Sequence, residues 1–66
     1  MKKDYKISLA SARKNARMTQ EEIAQKMGVS RFTIMNWEKG KVQMKPAQFH
    51  MYCEIVNAPE DIINLS

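Results

Sequence analysis

The middle of the chain carries two helix-start signals on either side of one glycine. Thr19 begins a Thr-Gln-Glu-Glu run, in which its hydroxyl can accept the Glu22 amide and the Glu22 carboxylate can reach back. Ser30 is a second residue suited to capping a helix. Gly28, just before it, can adopt the left-handed conformation that ends a helix and turns the chain sharply. The sequence therefore predicts two helices joined by a tight turn over residues 19–39.

Three more helix starts flank this pair. Ser8 can cap a first helix, Pro46 suits the first position of a fourth, and Pro59, followed by two acidic residues, suits that of a short fifth. Alternation long enough for a strand is absent from the sequence, whereas apolar stripes recur at helical spacing. The positions of these stripes are Leu9, Ala12, Arg13 and Ala16; Gln20, Ile23, Ala24 and Met27; and Phe49, Tyr52, Cys53 and Val56. We expect an all-α fold of five helices.

Length and composition favour one folded domain spanning residues 1–66. The chain is 44% hydrophobic and contains only two glycines and two prolines, which argues against disorder. Its single cysteine, Cys53, rules out an intramolecular disulfide and fits a reducing compartment. The sequence lacks an apolar run near the roughly 18 residues of a membrane span, and its charged start does not resemble a signal peptide. We therefore expect a cytoplasmic protein.

Positive charge is concentrated in the first two thirds of the chain. All eleven lysines and arginines occur by Lys45, together with four acidic residues. From Pro46 onward there are three acidic residues and no basic ones. A basic body of this kind is typical of a surface that faces a polyanion such as nucleic acid. The alternative is an ordinary solvated surface whose charge asymmetry arose by chance.

The run from residue 18 to 41 closely resembles the helix-turn-helix of phage repressors and Cro proteins, the lambda-repressor-like or XRE-type family. The matching positions are Thr19, Gln20, Ala24, Gly28, Ile34, Trp37, Glu38 and Gly40. The likeness extends over roughly residues 7–63. It implies a compact five-helix domain whose third helix lies in the DNA major groove. It also implies a sequence-specific transcriptional regulator, in particular a repressor, of phage, prophage or bacterial origin. Arg17 departs from the pattern, because relatives often have glycine there.

The outer face of the third helix carries the candidate base contacts. With Ile34 directed inward, helical geometry directs Phe32 and Asn36 outward and leaves Arg31 at the exposed amino end. Ser30, next to Arg31, is a further candidate base contact. Arginine can donate two hydrogen bonds to guanine, asparagine can pair with adenine, and phenylalanine can meet a thymine methyl group. For the two polar side chains the alternative is solvated surface. For Phe32 the alternative is a protein contact or a scattered apolar residue.

Candidate phosphate contacts flank the same helix. A residue at the amino end of the second helix can grip a phosphate with its side chain and the helix amides. Family positions matching Lys39 and Lys41 contact the DNA backbone. The full predicted set is Gln20, Lys39, Lys41, Arg17, Lys26 and Lys45. Any single lysine is more often a solvating charge, so the prediction depends on the cluster.

One charged residue interrupts the apolar stripe of the first helix. Arg13 occupies an inward position, and Glu38 lies near the inner face of the third helix. We therefore predict a structural ion pair between these two side chains beneath Trp37, as similar proteins pair the matching positions. Trp37, Cys53, Met27 and Met44 are expected in the core, and Met35 is expected to be at least partly exposed.

The residues present in the sequence argue against a catalytic or metal-binding role. His50 and Cys53 are three apart on one helix, but structural zinc needs four such ligands, and a thiol nucleophile needs a base and a pocket. The sequence also lacks a glycine-rich phosphate loop. We expect neither enzymatic activity nor a small-molecule substrate, with no metal and no cofactor.

The expected partner is a double-stranded DNA operator, and no membrane partner is expected. Because one small module buries little DNA surface, we expect a homodimer that is weak or forms on DNA. The acidic, apolar end from Pro59 to Leu65 is the candidate contact, with core capping as the alternative. A second interpretation of the same scaffold is a protein-interaction module, such as an antitoxin, that acts through a protein partner.

Overall fold

A computed structural model describes residues 6–64. Its four α-helices are α1 (Leu9–Asn15), α2 (Gln20–Met27), α3 (Arg31–Lys39) and α4 (Pro46–Val56), followed by a 3₁₀ turn, Glu60–Ile62. Two short strands, β1 (Ile7–Ser8) and β2 (Ile63–Asn64), form a parallel pair that joins the two ends of the described chain. Among these residues, the helices are too short and too polar to cross a bilayer.

Four of the five predicted helix starts are confirmed in atomic detail. The hydroxyls of Ser8, Thr19 and Ser30 each accept the amide nitrogen three residues further along, at 3.0, 3.0 and 3.1 Å. The Thr19 amide also donates to Glu22 Oε1 at 2.8 Å, which completes the capping box. Pro46 occupies the first position of α4. Each cap satisfies a backbone N–H group that has no partner inside its own helix.

All four of these α-helices end in the same backbone motif, with a residue in the left-handed region. After α2, the Gly28 amide donates to the Gln25 carbonyl at 3.3 Å and the Val29 amide donates to the Ala24 carbonyl at 3.0 Å. The left-handed residues are Arg17 (φ 60°), Gly28 (φ 71°), Gly40 (φ 77°) and Asn57 (φ 57°). A left-handed arginine costs roughly 1–2 kcal/mol, which explains why glycine is common at this position in the family that the sequence resembles.

The helices enclose one hydrophobic core. Its most completely buried side chains are Ile23, Ile34 and Tyr52, one each from α2, α3 and α4. Trp37, Cys53 and Met44 are buried, as predicted. Met27 packs against the core but is only partly buried, and Met35 is half-exposed. Burial of the stripe residues of α2 and α3 fixes which face of α3 remains in contact with solvent.

The predicted fifth helix is wrong, although the fold is all-α in class. Residues 60–62 form a single 3₁₀ turn, because the chain then extends and inserts Ile63, only 3% exposed, into the core. Three residues are too few for α-helical hydrogen bonding to become cooperative. The extended segment pairs with β1, Ile7 beside Ile63, so the expectation of no strand is also wrong at these positions.

Candidate nucleic-acid interface

Helix α3 presents one face to the core and the opposite face to solvent. Ile34 and Trp37 are 0% and 4% exposed, whereas Phe32 is 66% exposed. Arg31 is also exposed and Asn36 is half-buried. The predicted base contacts thus lie on the solvent side of a helix that is anchored from behind, which is the arrangement that lets a helix enter a groove.

Ser30 has a structural task at the start of this helix. Its hydroxyl accepts the Thr33 amide at 3.1 Å and lies 3.1 Å from the Thr33 hydroxyl. The Ser30 side chain, which is also a candidate base contact, is therefore already occupied in capping α3. The remaining hydrogen-bonding capacity of a hydroxyl would still allow one further contact.

The predicted phosphate-contacting cations are exposed. Lys39 and Lys41 lie on either side of Gly40, where α3 ends. Arg17 lies in the turn before α2, Lys26 in the last turn of α2, and Lys45 immediately before α4. Within residues 6–64, none of these five side chains forms an ion pair with another described residue. Their charges are thus not neutralised by described carboxylates.

Behind α3, Arg13 and Glu38 form a two-bond ion pair. Arg13 Nε lies 2.7 Å from Glu38 Oε2, and Nη2 lies 3.2 Å from Oε1. The two side chains are 9% and 6% exposed. Arg13 Nη1 also donates to the Met18 carbonyl at 3.0 Å, and the Tyr52 hydroxyl lies 2.9 Å from Glu38 Oε2 and 3.1 Å from the Leu9 carbonyl. The pair thus ties together α1, α3 and α4.

The surroundings of Glu38 favour its charged form. Burial by itself raises the pKa of a carboxyl, but hydrogen bonds from Arg13, Gln20 and Tyr52 more than offset this effect and lower the pKa of Glu38. The hydrogen bond to Glu38 raises the pKa of Arg13. Burial, and then the Glu38 charge, raise the pKa of Tyr52, so its hydroxyl remains a hydrogen-bond donor. Glu38 therefore acts as a fixed negative charge.

Gln20 connects this buried pair to the surface of α3. Its Nε2 donates to Glu38 Oε1 at 3.1 Å, and its Oε1 accepts from Arg31 Nε at 3.3 Å. The sequence predicted only a phosphate contact for Gln20 and neither of these two hydrogen bonds. The spacing along the chain contains no signal for them, because they depend on the side-chain conformations of three separate residues. The second N–H of the Gln20 amide is still available to a phosphate.

His50 and Cys53 do not form a site together. Cys53 is 2% exposed, and burial raises the pKa of its thiol to about 11, so the thiol is protonated at neutral pH. The His50 side chain is 63% exposed and faces two carboxylates, with Nδ1 2.6 Å from Glu60 Oε2 and Nε2 3.3 Å from Glu54 Oε2. In the part of the chain that the structure describes, His, Cys, Asp and Glu form no cluster suited to a metal ion.

A capped helix, a glycine turn and a second capped helix with an exposed polar face define a helix-turn-helix protein. A family model described as a helix-turn-helix domain matches residues 7–64, and the chain belongs to this family, in its lambda-repressor-like, XRE-type form. No curated protein and no solved structure matches the chain. Membership makes the chain a DNA-binding protein of the transcription-regulator class, a family that is generally not enzymatic.

Proposed function

We propose that the chain binds one double-stranded operator sequence and represses transcription by occupying it, in the cytoplasm of a bacterium or as a phage or prophage regulator. The observation that carries this proposal is the solvent face of α3. Phe32 is 66% exposed on a helix whose Ile34 is fully buried, so the helix is both anchored and accessible. Exposed Arg31 and half-buried Asn36 lie on the same solvent side and supply the hydrogen-bonding groups that base recognition needs.

In this proposal the contacts divide into two groups. Arg31 donates to a guanine edge, Asn36 pairs with adenine, Phe32 meets a thymine methyl group, and Ser30 adds a contact at the start of the helix. Phosphates are bound around the edge of this surface, which fixes the position of the helix in the groove. The proposed phosphate-contacting residues are Gln20, Lys39, Lys41, Arg17, Lys26 and Lys45.

The proposed regulator binds as two copies on a two-fold operator, with half-sites roughly 34 Å apart. One module of this size buries too little surface for tight specific binding, so dimerisation on DNA would supply the rest. The candidate contact is the segment from Pro59, in which Ile62 is half-buried and Asp61 exposed. Leu65, which the sequence analysis included in this contact, lies outside the described residues.

Selection from randomised duplex DNA at about 50 mM and about 200 mM salt tests this function. We expect an enriched, two-fold symmetric motif. Replacing Arg31 or Asn36 by alanine should cost about 1–3 kcal/mol on that motif and relax the preference at one position each. Lys14→Ala is a suitable control, since it removes an exposed charge outside the proposed site and should leave the motif unchanged.

The same experiment distinguishes the competing interpretation, a module that acts through a protein partner. Exposed Phe32 and Val42, at 66% and 51%, favour that interpretation more than any other feature. A protein-binding module should show weak DNA binding without a motif and with little dependence on salt. A DNA-binding surface that neutralises several phosphates should instead lose affinity steeply as salt rises.

A further inference from the structure

Apolar side chains are concentrated on the solvent side of α3, among the residues proposed to contact bases. In residues 6–64, three large hydrophobic side chains are exposed, and two of them, Phe32 and Val42, belong to α3 and to the turn that follows it. Met35, also on α3, is half-exposed. Single hydrophobic residues scattered over a surface are normal, whereas neighbouring ones form a patch that a partner can contact.

Helical geometry places the members of this patch side by side. Residues three and four apart on a helix are neighbours, with their Cβ atoms about 5–6 Å apart. Phe32 therefore has Met35 on one side and Asn36 on the other. Val42 lies near the same place, since its amide donates to the Asn36 carbonyl at 3.4 Å. Asn36, which is proposed to pair with adenine, is thus bordered by apolar residues.

The charges around the patch favour DNA as the partner. Arg31 and Lys39, at the two ends of α3, are exposed and form no ion pair with another described residue. The one acidic residue of α3, Glu38, is buried and bonded to Arg13. The helix therefore presents no free carboxylate that would repel phosphates. In the major groove, the apolar group on a base edge is the C5-methyl group of thymine.

The chemistry of this contact does not require thymine itself. Cytosine carries the same methyl group, at the same place in the groove, once it is methylated at C5. The phenylalanine side chain has no hydrogen-bond donor or acceptor, and the methionine sulfur accepts only weakly, so neither distinguishes the polar atoms of the two pyrimidines. Burial of one methyl group corresponds to about threefold to fivefold in affinity.

We propose that Phe32 and Met35 form a site for the C5-methyl group of a pyrimidine, and that methylation of cytosine at this position of the operator strengthens binding. The inference rests on the proposed function, because it requires α3 to lie in the major groove. It adds a form of regulation, since methylated and unmethylated copies of one DNA sequence are bound with different affinities. Phe32 and Asn36 are about 6 Å apart along the helix, so the methyl group should lie within about two base pairs of the adenine.

Duplexes that differ by a single methyl group test the inference on the full chain. The selected operator is compared with copies in which each thymine in turn is replaced by uracil, which lacks only the C5-methyl group. At the position contacted by Phe32, affinity should fall about threefold to fivefold, whereas thymines outside the half-sites should have no effect.

A second pair of duplexes separates the two sources of the methyl group. The same T·A pair is replaced by a C·G pair, with and without methylation of the cytosine at C5. Both duplexes should bind less tightly than the operator if another side chain contacts the replaced adenine. Whatever that loss, the methylated duplex should bind about threefold to fivefold more tightly than the unmethylated one.

Substitutions in the protein assign the effect to the patch. Phe32→Ala should abolish both methyl effects, whereas Phe32→Leu, which keeps an apolar side chain, should retain part of them. Met35→Ala should reduce them. Met51→Ala is the matched control, since it is the same substitution at an exposed methionine of α4, and it should leave both effects unchanged. Substitutions at exposed positions change stability little, and circular dichroism checks that each variant is folded.

The outcomes separate this inference from the proposed function. If Arg31→Ala removes a guanine preference but uracil binds as well as thymine at every position, the methyl site is overturned and the proposed function stands. A methyl effect that survives Phe32→Ala places the contact on another side chain and also overturns the inference. If thymine is preferred to uracil while cytosine methylation has no effect, the proposed response to methylation is overturned. If the protein selects no motif, both proposals fall, and exposed Phe32 then favours a protein partner.

Discussion

Within residues 6–64, two clusters bring a basic side chain to a carboxylate at nearly the same distance but in different surroundings. Arg13 lies 2.7 Å from Glu38, and His50 lies 2.6 Å from Glu60. The side chains of the first pair are 9% and 6% exposed, whereas those of the second are 63% and 47% exposed. The first cluster connects α1, α3 and α4, while the second joins α4 to the 3₁₀ turn that follows it.

Burial, and not distance, separates the roles of the two clusters. A buried charge that loses its partner is far from water, and the neutral hydrogen-bond donors or acceptors that remain around it do not balance its charge. An exposed carboxylate that loses its partner is simply hydrated and screened by salt. We therefore expect the Arg13 cluster to determine whether the protein is folded, and the His50 cluster to respond to pH with little effect on folding.

The largest expected effect comes from Glu38→Ala. The variant leaves the Arg13 guanidinium buried without its carboxylate, at a cost of about 3–5 kcal/mol. The free energy of unfolding of a chain this short is itself about 3–10 kcal/mol, so the variant should lose a third or more of its stability and unfold at a much lower urea concentration. Urea denaturation followed by circular dichroism measures this. Glu54→Ala is the matched control in the exposed cluster. An equal loss of unfolding free energy in that variant would contradict the expectation that burial separates the two clusters.

An intermediate effect is expected for Tyr52→Phe, which removes one hydroxyl from the buried cluster. The loss should be about 1–3 kcal/mol, because Glu38 and the Leu9 carbonyl share a donor that water cannot replace. The pKa of Glu38 is lowered in the folded state, so its contribution is present above the unfolded pKa and lost as pH falls through the folded pKa. With one donor fewer, acid unfolding should begin at a higher pH in the variant. An unchanged acid midpoint would argue against the Tyr52 contact.

The smallest effect is expected at His50, the single histidine of the chain. The hydrogen bond to Glu60, and then the charges of Glu54 and Glu60, raise the pKa of His50 above its ordinary value of 6.5. The stabilisation is therefore complete below the unfolded pKa and is lost as pH rises through the folded one. A titration by nuclear magnetic resonance should give a raised pKa that falls towards 6.5 in Glu60→Gln and at about 1 M salt. A His50 pKa that does not respond to salt would mean that the His50 cluster is more shielded from solvent than its exposed side chains indicate.

Local signals in the sequence predicted most of the helical framework. The hydroxyls of Ser8, Thr19 and Ser30, and the glycine at residue 28, act on backbone groups within a few residues, so their effect can be deduced without tertiary structure. Arg17 lies at a helix end of the same kind as Gly28, although it is not a glycine. Its backbone is left-handed, where glycine is easier, because the helix end requires that conformation whatever side chain is present.

Two non-local features could not be predicted from the sequence. Two residues of strand cannot produce a periodic pattern, and their partner lies at the other end of the described chain. The pairing of Ile63 with Ile7 is what replaces the predicted fifth helix by a single turn. The bonds of Gln20 to Glu38 and Arg31 were missed for a related reason: each joins residues that the fold, and not the spacing, brings together.

The parallel pair of β1 and β2 also bears on the order of folding. Helices α2 and α3 are adjacent in sequence and can associate through local contacts, which form fast. The pairing of Ile7 with Ile63 must instead close a loop that contains all four α-helices, and each doubling of loop length adds about 0.6 kcal/mol to the entropic cost of closure. The two-residue pair is therefore expected to close late, after the helix-turn-helix has formed. By the same reasoning it should be among the first contacts to open when the native protein fluctuates, which would leave α2 and α3 together while the ends separate.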